Sequence, residues 1–264
     1  MKIETIRKIS GSRLYLSLKK NRAFNEISAR IGNIVLPTDA IVRVKPNNSM
    51  MRLHPKINTV ERALYIRNVH EPEVTREFKK LIKKVDVVID VGANIGYYSL
   101  MARGVKEVHA FEPDDYAYSI LVENVKMNGC RNITEHCIGV SDVSDIGVPF
   151  YKSRDSGGNS LSARNAVSER KTTIRTTTLD DYFGKSLNGK RVLMKSDTQG
   201  AEMKVITGAL KLIRNTDMAL ILEIWDDGLK NMGSSQYQLL ETMRKLGFEW
   251  RMVGDCAIFK RVVK

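Results

Sequence analysis

From residue 85 onward, short apolar runs alternate with longer segments in which apolar residues recur every three or four positions. The short runs predict buried strands, and the recurrence predicts amphipathic helices. The predicted strands lie at 86–90, 107–111, 133–137, 192–196 and 219–224, and helices are predicted at 97–103, 114–127, 201–213 and 235–246. Strands that alternate with helices indicate a parallel, doubly wound sheet.

The end of the chain and one internal segment depart from this alternation. Apolar runs at 248–253 and 256–262 flank Gly254-Asp255, which predicts a β-hairpin. Residues 143–178 contain few helix signals, and we interpret them as a loop-rich insertion with edge strands at 147–151 and 172–178. The pattern therefore predicts a Rossmann-like α/β fold whose mostly parallel sheet ends in an antiparallel hairpin.

Residues 1–69 are predicted to form a basic N-terminal α/β extension, ahead of a main domain at 70–264. The elements expected from 1 to 84 are one or two amphipathic helices within 1–31, short strands at 33–36 and 41–45, and helices at 59–68 and 71–84. Thr59 is the expected cap of the first of these last two helices. The second opens with acidic residues and Pro72 and closes on lysines, as the helix dipole favours.

Charge is distributed unevenly along the chain. The formal net charge is +13, yet residues 1–84 alone hold 19 basic and 7 acidic residues, and the remainder is almost balanced. Such an excess indicates an acidic partner, for example RNA, an anionic lipid surface or an acidic substrate. The alternative is that the basic segment only keeps the chain soluble.

Composition is that of an ordinary globular protein, with 42% hydrophobic and 28% charged residues. No apolar run approaches the roughly 20 residues that a membrane-spanning helix needs, and no apolar segment of a secretory signal follows the basic start. We therefore expect a cytoplasmic protein. Cys130, Cys137 and Cys256 form no C-x-x-C pair and are expected to be free thiols.

Segment 87–99 contains the most informative motif, a buried strand that runs into a glycine turn and then a helix. Ligands of open α/β sheets bind at the carboxyl ends of the strands, near the point where the strand order reverses. Gly92 would let the backbone approach a ligand closely, and Gly96 would permit a tight entry into the helix. The helix N-terminus offers free N–H groups to an anionic group of the ligand.

Side chains in and after this turn distinguish between the candidate ligands. A dinucleotide fingerprint requires G-x-G-x-x-G, and Asn94 and Tyr97 interrupt it. Asp90, at the end of the strand, suits a ligand that carries an ammonium group. Glu112 ends the next strand, 20 residues after Gly92, where an acid can accept hydrogen bonds from both ribose hydroxyls. Together these features indicate S-adenosylmethionine rather than a dinucleotide.

Several motifs between residues 70 and 215 resemble, in the same order, those of the FkbM-type S-adenosylmethionine-dependent methyltransferases. They are Asp90-Val-Gly-Ala-Asn-Ile-Gly-Tyr-Tyr-Ser99, Phe111-Glu-Pro113, Ile138-Gly-Val-Ser-Asp142, Ser160-Leu161, Thr178-Leu-Asp-Asp181 and Lys195-Ser-Asp-Thr-Gln-Gly-Ala-Glu202. The last is the most specific of them. The resemblance implies a class I methyltransferase fold, S-adenosylmethionine as cofactor, and O-methylation of a hydroxyl on a small molecule or sugar, acidic acceptors included.

The resemblance also implies roles for individual residues. The cofactor would be held by Asp90, Gly92, Asn94 and Glu112, with Gly96 in the same turn. Val140, Ser141 and Asp142 would lie near the adenine. Asp197 would face the sulfonium and the acceptor. A hydroxyl acceptor needs a base, and Asp197 and Glu202 are the leading carboxylates, although Glu202 equally suits a helix N-terminus. Glu223, at the next strand end, is the third choice. Lys195 would pair with one of them or orient an acidic substrate.

Three other functions compete with this interpretation. A tRNA or rRNA methyltransferase would use the basic segment 1–84, but the chain lacks an Asn-Pro-Pro-aromatic tetrapeptide. A non-catalytic binding module would not need to keep its acids, and an NAD-dependent oxidoreductase is disfavoured by the interrupted glycine motif. We expect no metal site, because Asp197, Glu223 and Asp226 are separated acids and the histidines lack ligand spacing.

Overall fold

The computed structural model describes residues 36–153, 156–166 and 170–262. The chain divides between His70 and Glu71 into two compact units. The helices expected within 1–31 and the first residues of the strand expected at 33–36 lie outside the described part. Leu36 lies in a bend rather than in a strand. Over the described ranges, no helix is long and apolar enough to cross a membrane.

The described part of the first unit consists of a two-stranded sheet and a helix. Strand β1 (Ala40–Val44) pairs antiparallel with β2 (Ser49–Leu53), so the strand expected at 41–45 is confirmed with a shift of one residue. The sequence did not predict β2, because its adjacent methionines and lack of β-branched residues give a weak strand signal.

Helix α1 (Thr59–Arg67) follows these strands and begins one residue earlier than a Thr59 cap would require. Asn58 is the cap instead, since its side chain accepts hydrogen bonds from the backbone N–H groups of Val60 and Glu61. The expectation for Thr59 was therefore wrong. An asparagine satisfies orphan N–H groups at a helix start at least as well as a threonine does.

The second unit carries the sheet that forms the site. Its strands are β3 (Val87–Val91), β4 (Glu107–Phe111), β5 (Ile133–His136), β6 (Gly139–Val140), β7 (Asp145–Lys152), β8 (Arg170–Thr177), β9 (Arg191–Ser196), β10 (Asp217–Glu223), β11 (Phe248–Val253) and β12 (Cys256–Arg261). Within the described residues, seven of them form one sheet in the order β11-β12-β10-β9-β3-β4-β5. The pairs from β10 to β5 are parallel, and β12 is antiparallel to both neighbours. The expected mostly parallel sheet with a terminal hairpin is thus confirmed.

Strands β6, β7 and β8 form a separate three-stranded sheet. The insertion was expected to supply edge strands, and this expectation is corrected in one respect. Strand β8 pairs antiparallel with β7 over seven residue pairs and parallel with β6, so the strands of the insertion satisfy one another rather than extending the main sheet.

The helices of the second unit are α2 (Pro72–Leu81), α3 (Tyr97–Met101), α4 (Asp115–Met127), α5 (Leu179–Phe183), α6 (Glu202–Thr207), α7 (Leu210–Asn215), α8 (Asp226–Asn231) and α9 (Gln236–Lys245). The helix expected at 71–84 ends as a 3₁₀ turn from Ile82 to Lys84. The single helix expected at 201–213 is broken at Gly208. A Cβ there would lie 2.1 Å from the carbonyl oxygen of Ser141, and the carboxylate of Asp180 caps the second half at Leu212. Helix α8 was not predicted.

Alternate residues of the central strands form one face of the core. Val87, Ile89 and Val91 of β3 belong to a buried cluster. The same cluster contains buried side chains from α6, α7 and α9, such as Val205, Leu212 and Leu239. Residues two apart on a strand share a face, and burial of each such side chain contributes about 1.5–3 kcal/mol to folding. This packing fixes the carboxyl ends of β3, β9 and β10, where the polar residues lie.

Candidate functional site

The glycine turn after β3 is shaped by its contact with the end of β9. Gly92 has a φ of 75°, and a Cβ there would lie 2.0 Å from the carbonyl oxygen of Asp197. We expected Gly92 to allow close approach of a ligand, and the structure shows that it allows close approach of the neighbouring strand. Gly96 has a φ of 87° and caps α3 tightly against Leu121, as expected.

Asp90 lies in β3 next to this turn and is buried. Its Oδ2 accepts a hydrogen bond of 2.5 Å from the hydroxyl of Ser99 on α3. Burial raises the pKa of Asp90, while the ammonium group of Lys195 and the hydrogen bond from Ser99 act in the opposite direction. Its carboxylate therefore ties the strand to the helix, and direct contact with a ligand's ammonium group stays a prediction.

Glu112 follows β4 and reaches back to the glycine turn. Its Oε2 accepts the backbone N–H of Asn94 at 2.7 Å, and its Oε1 accepts that of Asp114 at 2.9 Å. Burial raises the pKa of Glu112 to about 8. The structure thus brings Asp90, Asn94 and Glu112 to adjacent strand ends. Asn94 takes a left-handed φ of 49°, which an asparagine tolerates better than most residues.

Val140 ends the short strand β6 and Ser141 follows it, and both are buried. The backbone N–H of Ser141 donates to the carbonyl oxygen of Thr177 on β8 at 2.9 Å. Its hydroxyl donates to Asp142, which in turn pairs with Lys204 at 3.0 Å. These contacts fix the segment firmly, and its proximity to an adenine stays a prediction.

Lys195 and Asp197 form an ion pair at the end of β9. The Nζ of Lys195 lies 3.1 Å from Oδ2 of Asp197 and 4.5 Å from the centre of the Tyr98 ring. The hydroxyl of Tyr98 donates to Glu71 at 2.7 Å. Burial alone would lower the pKa of Lys195, but the carboxylates of Asp197 and Glu71 outweigh it and the pKa is raised well above its usual value. Lys195 is therefore a buried, permanent cation.

Glu202 lies on the first turn of α6 and is fully buried. Its Oε1 accepts the backbone N–H of Thr198 at 2.8 Å and the hydroxyl of Thr198 at 2.9 Å. Burial raises the pKa of Glu202 to about 7. Through these hydrogen bonds, Glu202 holds the loop between β9 and α6 to the first turn of α6. This is the role at a helix N-terminus that the sequence analysis gave as an alternative. A direct catalytic role for Glu202 stays a prediction.

Two further residues complete the site, and only one of them was considered from the sequence. Gln199 has a left-handed φ of 53°. Its Nε2 donates to Oδ1 of Asp197 at 3.0 Å and to Oε2 of Glu223 at 3.2 Å. Burial raises the pKa of Glu223, and the carboxylates of Asp197 and Glu202 raise it further. Gln199 belongs to the most specific motif, but an uncharged amide gives no signal of chemistry in a sequence.

The insertion contacts the same loop. Ser160 Oγ and Asn165 Nδ2 donate to the carbonyl oxygen of Gln199 at 3.0 and 2.8 Å. Asn165 Nδ2 also donates to the carbonyl oxygen of Gly228, and its Oδ1 accepts from Asn231. None of these contacts was predicted, because they join segments far apart in the chain. They place the insertion beside the carboxylates.

The residues present fit the cofactor that the motifs indicate. Among the buried side-chain polar atoms of the ranges described above, Asn94 Oδ1 has no hydrogen-bond partner. It lies in the glycine turn after β3, two residues after Gly92. When Glu112 is ionised, each of its oxygens has a second lone pair besides the one that accepts a backbone N–H, and a ribose diol can use these. No group of three or more metal-ligating side chains occurs in that part of the chain.

Comparisons with known proteins agree with the motifs. The model of the methyltransferase FkbM domain matches residues 90–250. Hexuronic acid methyltransferase AglP of Haloferax volcanii is 25% identical over 167 residues, which cover 62% of this chain and 67% of that protein. The MJ1452 protein of Methanocaldococcus jannaschii is 39% identical over 61 residues, which cover 21% of this chain and 24% of that protein.

Two solved structures are similar in outline. The methyltransferase FkbM of Methylobacillus flagellatus is 15% identical, with a TM-score of 0.46 over 90% of this chain and 59% of that chain. SMU.1697c of Streptococcus mutans, in complex with SAH, is 12% identical, with a TM-score of 0.44 over 74% of this chain and 99% of that chain.

Proposed function

Because the chain belongs to the FkbM family of S-adenosylmethionine-dependent methyltransferases, we propose that it methylates a hydroxyl of a small molecule or sugar, with Asp197 as the base. One observation carries this proposal. Asp197 is a carboxylate at the carboxyl edge of the sheet whose side chain is 22% exposed. Lys195 holds one of its oxygens and Gln199 the other. It is therefore both fixed in orientation and accessible to an acceptor.

The donor half of the site would bind the cofactor. Glu112 would accept the ribose hydroxyls, Asn94 Oδ1 would find its missing partner, and Val140 and Ser141 would border the adenine. When bound, S-adenosylmethionine supplies an electrophilic methyl group on a sulfonium. Asp90 supports this half by holding α3 to β3 through Ser99. The parallel pairing of β3 with β9 brings the donor half next to Asp197.

The acceptor half would orient the hydroxyl and remove its proton. Methyl transfer is an in-line displacement, so orientation supplies a large share of the rate. Proton removal by a positioned base contributes typically 10²–10⁴-fold. Lys195 neutralises one of the carboxylates gathered here, and it would keep Asp197 ionised and ready to accept the proton of the hydroxyl.

A sugar is the acceptor class that we favour. AglP, the relative named above, is a hexuronic acid methyltransferase, and its match covers 62% of this chain. Sugars present several hydroxyls to a base, so they suit a site with one oriented carboxylate. Both neutral sugars and uronic acids belong in the acceptor panel.

RNA is the second candidate acceptor, and the observation that favours it is the charge of the first 84 residues, 19 basic against 7 acidic. An acceptor held by this segment would bind with an affinity that falls steeply with salt, because counterions are released from the phosphates. A sugar acceptor would show little such dependence. Salt dependence therefore separates the two candidates.

The test is methyl transfer from radiolabelled S-adenosylmethionine to a panel of neutral sugars, uronic acids and total RNA. We expect label in a sugar fraction, as an alkali-stable methyl ether. Asp197→Asn should lower the rate by about 10²–10⁴-fold while leaving cofactor binding intact. Asp255→Asn, in the hairpin turn, is the matched control and should keep full activity. Label in RNA alone would replace the sugar proposal, and an active Asp197→Asn variant would refute the assigned base.

A further inference from the structure

We propose that Gln199 is a positioning residue that holds Asp197 and Glu223 as one hydrogen-bonded carboxyl pair, and that segment 156–166 holds Gln199 in place. This inference rests on the proposed role of Asp197 as the base. It adds a second carboxyl group to the acceptor half and links that half to the insertion.

Asp197 and Glu223 lie at the carboxyl ends of neighbouring parallel strands. Ser196 of β9 pairs with Leu222 of β10, and each acid follows its paired residue directly. The side-chain amide of Gln199 donates to Asp197 Oδ1 at 3.0 Å and to Glu223 Oε2 at 3.2 Å. One NH₂ group therefore bridges both carboxyl groups, which uses both of its donors.

The pair needs such donors because most of the surrounding groups are acids or are already engaged. The titratable and charged groups that interact with it are Asp90 on β3, Lys195 on β9, Glu202 on α6 and Cys256 on β12. Tyr98 on α3 and Glu71 at the start of α2 act on Lys195. Lys195 contacts Asp197 directly at 3.1 Å. Two carboxyl groups this close cannot both ionise easily, so they share a proton unless donors stabilise the charged form. Gln199 is the donor common to both.

The backbone of Gln199 is held by the insertion. Its carbonyl oxygen accepts hydrogen bonds from Ser160 Oγ and Asn165 Nδ2, and both of these residues are buried. The next residue, Gly200, has a φ of 98°. A Cβ there would lie 2.5 Å from the backbone of Gly228 and 2.6 Å from Asn165 Nδ2. The loop therefore fits in one arrangement, which directs the amide of Gln199 to the two acids.

The test is an infrared titration of the protonated carboxyl band on the full-length protein, from about pH 7 to about pH 12, because burial and the neighbouring carboxylates raise the pKa of Glu223 to about 10. The band of the pair is identified by its loss in Glu223→Gln. In Gln199→Leu, the midpoint should rise by on the order of one pH unit, because the charged form loses hydrogen bonds. Gln238→Leu, an exposed glutamine on α9, is the matched control and should leave the midpoint unchanged. An unchanged midpoint in Gln199→Leu overturns the proposal.

A second variant covers the case in which Gln199→Leu does not fold. Ser160→Ala removes one hydrogen bond to the Gln199 carbonyl and leaves the side-chain amide of Gln199 in place, so the titration midpoint should rise by less than in Gln199→Leu. No rise in Ser160→Ala would overturn the role assigned to the insertion.

The titration needs no methyl acceptor. Its failure therefore refutes the positioning role, whereas absence of methyl transfer in an otherwise normal titration refutes the proposed function. Once an acceptor is identified, kcat/KM can be measured as a function of pH. The acid limb of this pH profile should move to higher pH in Gln199→Leu. A merely structural defect would lower kcat/KM equally at all pH values.

Discussion

Gly92 and Asp197 are in backbone contact across the switch point of the sheet. A Cβ on Gly92 would lie 2.0 Å from the carbonyl oxygen of Asp197, and the N–H of Asp197 donates to the carbonyl of Val91 at 3.0 Å. The glycine turn and the backbone of the residue that we propose as the base therefore pack directly against each other. A side chain added at Gly92 must displace the backbone of Asp197.

The first prediction concerns this contact. Gly92→Ala adds a methyl group at a φ of 75° against backbone that cannot move aside, and strain at such positions costs about 1–3 kcal/mol before the clash is counted. We expect a lower midpoint in thermal unfolding and loss of S-adenosylmethionine binding in calorimetry. Gly104→Ala is the control, since nothing lies within 4 Å of its added Cβ. Equal unfolding midpoints for the two variants would contradict this interpretation.

The strands of the main sheet could be predicted because their signal is local. Glu107–Phe111 and Phe248–Val253 agree with the expected ranges to the residue, and the antiparallel hairpin follows from turn chemistry at Gly254. The break at Gly208 could not be predicted, since it depends on the carbonyl of Ser141, 67 residues earlier in the chain. Hydrophobic periodicity predicts that the insertion contains strands but not which strands pair, because pairing depends on the tertiary structure.

Among the candidate site residues, the sequence itself gives a chemical signal for the charged residues and the glycines, whereas Asn94, Val140 and Ser141 were expected from the family resemblance. Asp90, Glu112 and Asp197 were identified because acids at strand ends are chemically conspicuous. Gln199 and Asn165 were not, since neutral amides are common and their role depends on geometry. The structure also distinguishes between the two leading candidates for the base, which the sequence could not do. Glu202 is fully buried, whereas the side chain of Asp197 is partly exposed.

The second prediction follows from this separation. Glu202→Gln preserves an oxygen that can accept from Thr198, so the methyl-transfer rate should change far less than in Asp197→Asn. Burial raises the pKa of Glu202 to about 7 from 4.5, so the cost of its ionisation grows as pH rises from about 4.5 to about 7. The variant should therefore gain stability relative to wild type at pH 8 compared with pH 5, by up to about 3 kcal/mol. Urea unfolding at both pH values measures this change in stability. In the methyl-transfer assay, a rate loss in Glu202→Gln as large as that of Asp197→Asn would instead support Glu202 as a catalytic residue.

The third prediction concerns proton release on cofactor binding. The pKa of Glu112 is raised to about 8 by burial, so most of the free protein carries a proton there at pH 7. Ribose hydroxyls donate to the ionised form and lower the pKa in the complex, so binding should release close to one proton. Calorimetry in two buffers of different ionisation enthalpy measures the number released. Glu112→Gln should abolish the release, the exposed Glu249→Gln should not, and equal release in both variants would exclude Glu112 as the source.

The fourth prediction concerns acid stability and the aromatic cluster beside β5. The His136 ring stacks on Phe111 with 4.5 Å between ring centres and lies 3.2 Å, Nε2 to Nδ1, from His109. Burial, followed by the charge of His109, lowers the pKa of His136 from 6.5 to about 4. The unfolded chain therefore binds more protons between about pH 6.5 and about pH 4, and stability is lost as the pH falls through this window.

Because His136 is only partly buried, solvent screening limits the loss to on the order of 1 kcal/mol, or about 2–4 °C in the unfolding midpoint of a unit of this size. His136→Phe keeps the stacking and removes the titrating group, so its midpoint should change less between pH 7 and pH 5 than that of wild type. Tyr182→Phe, which removes only a hydroxyl in contact with His136, should keep the wild-type dependence. If His136→Phe and wild type lose stability equally over this range, the acid sensitivity arises elsewhere, and the histidine pair serves packing alone.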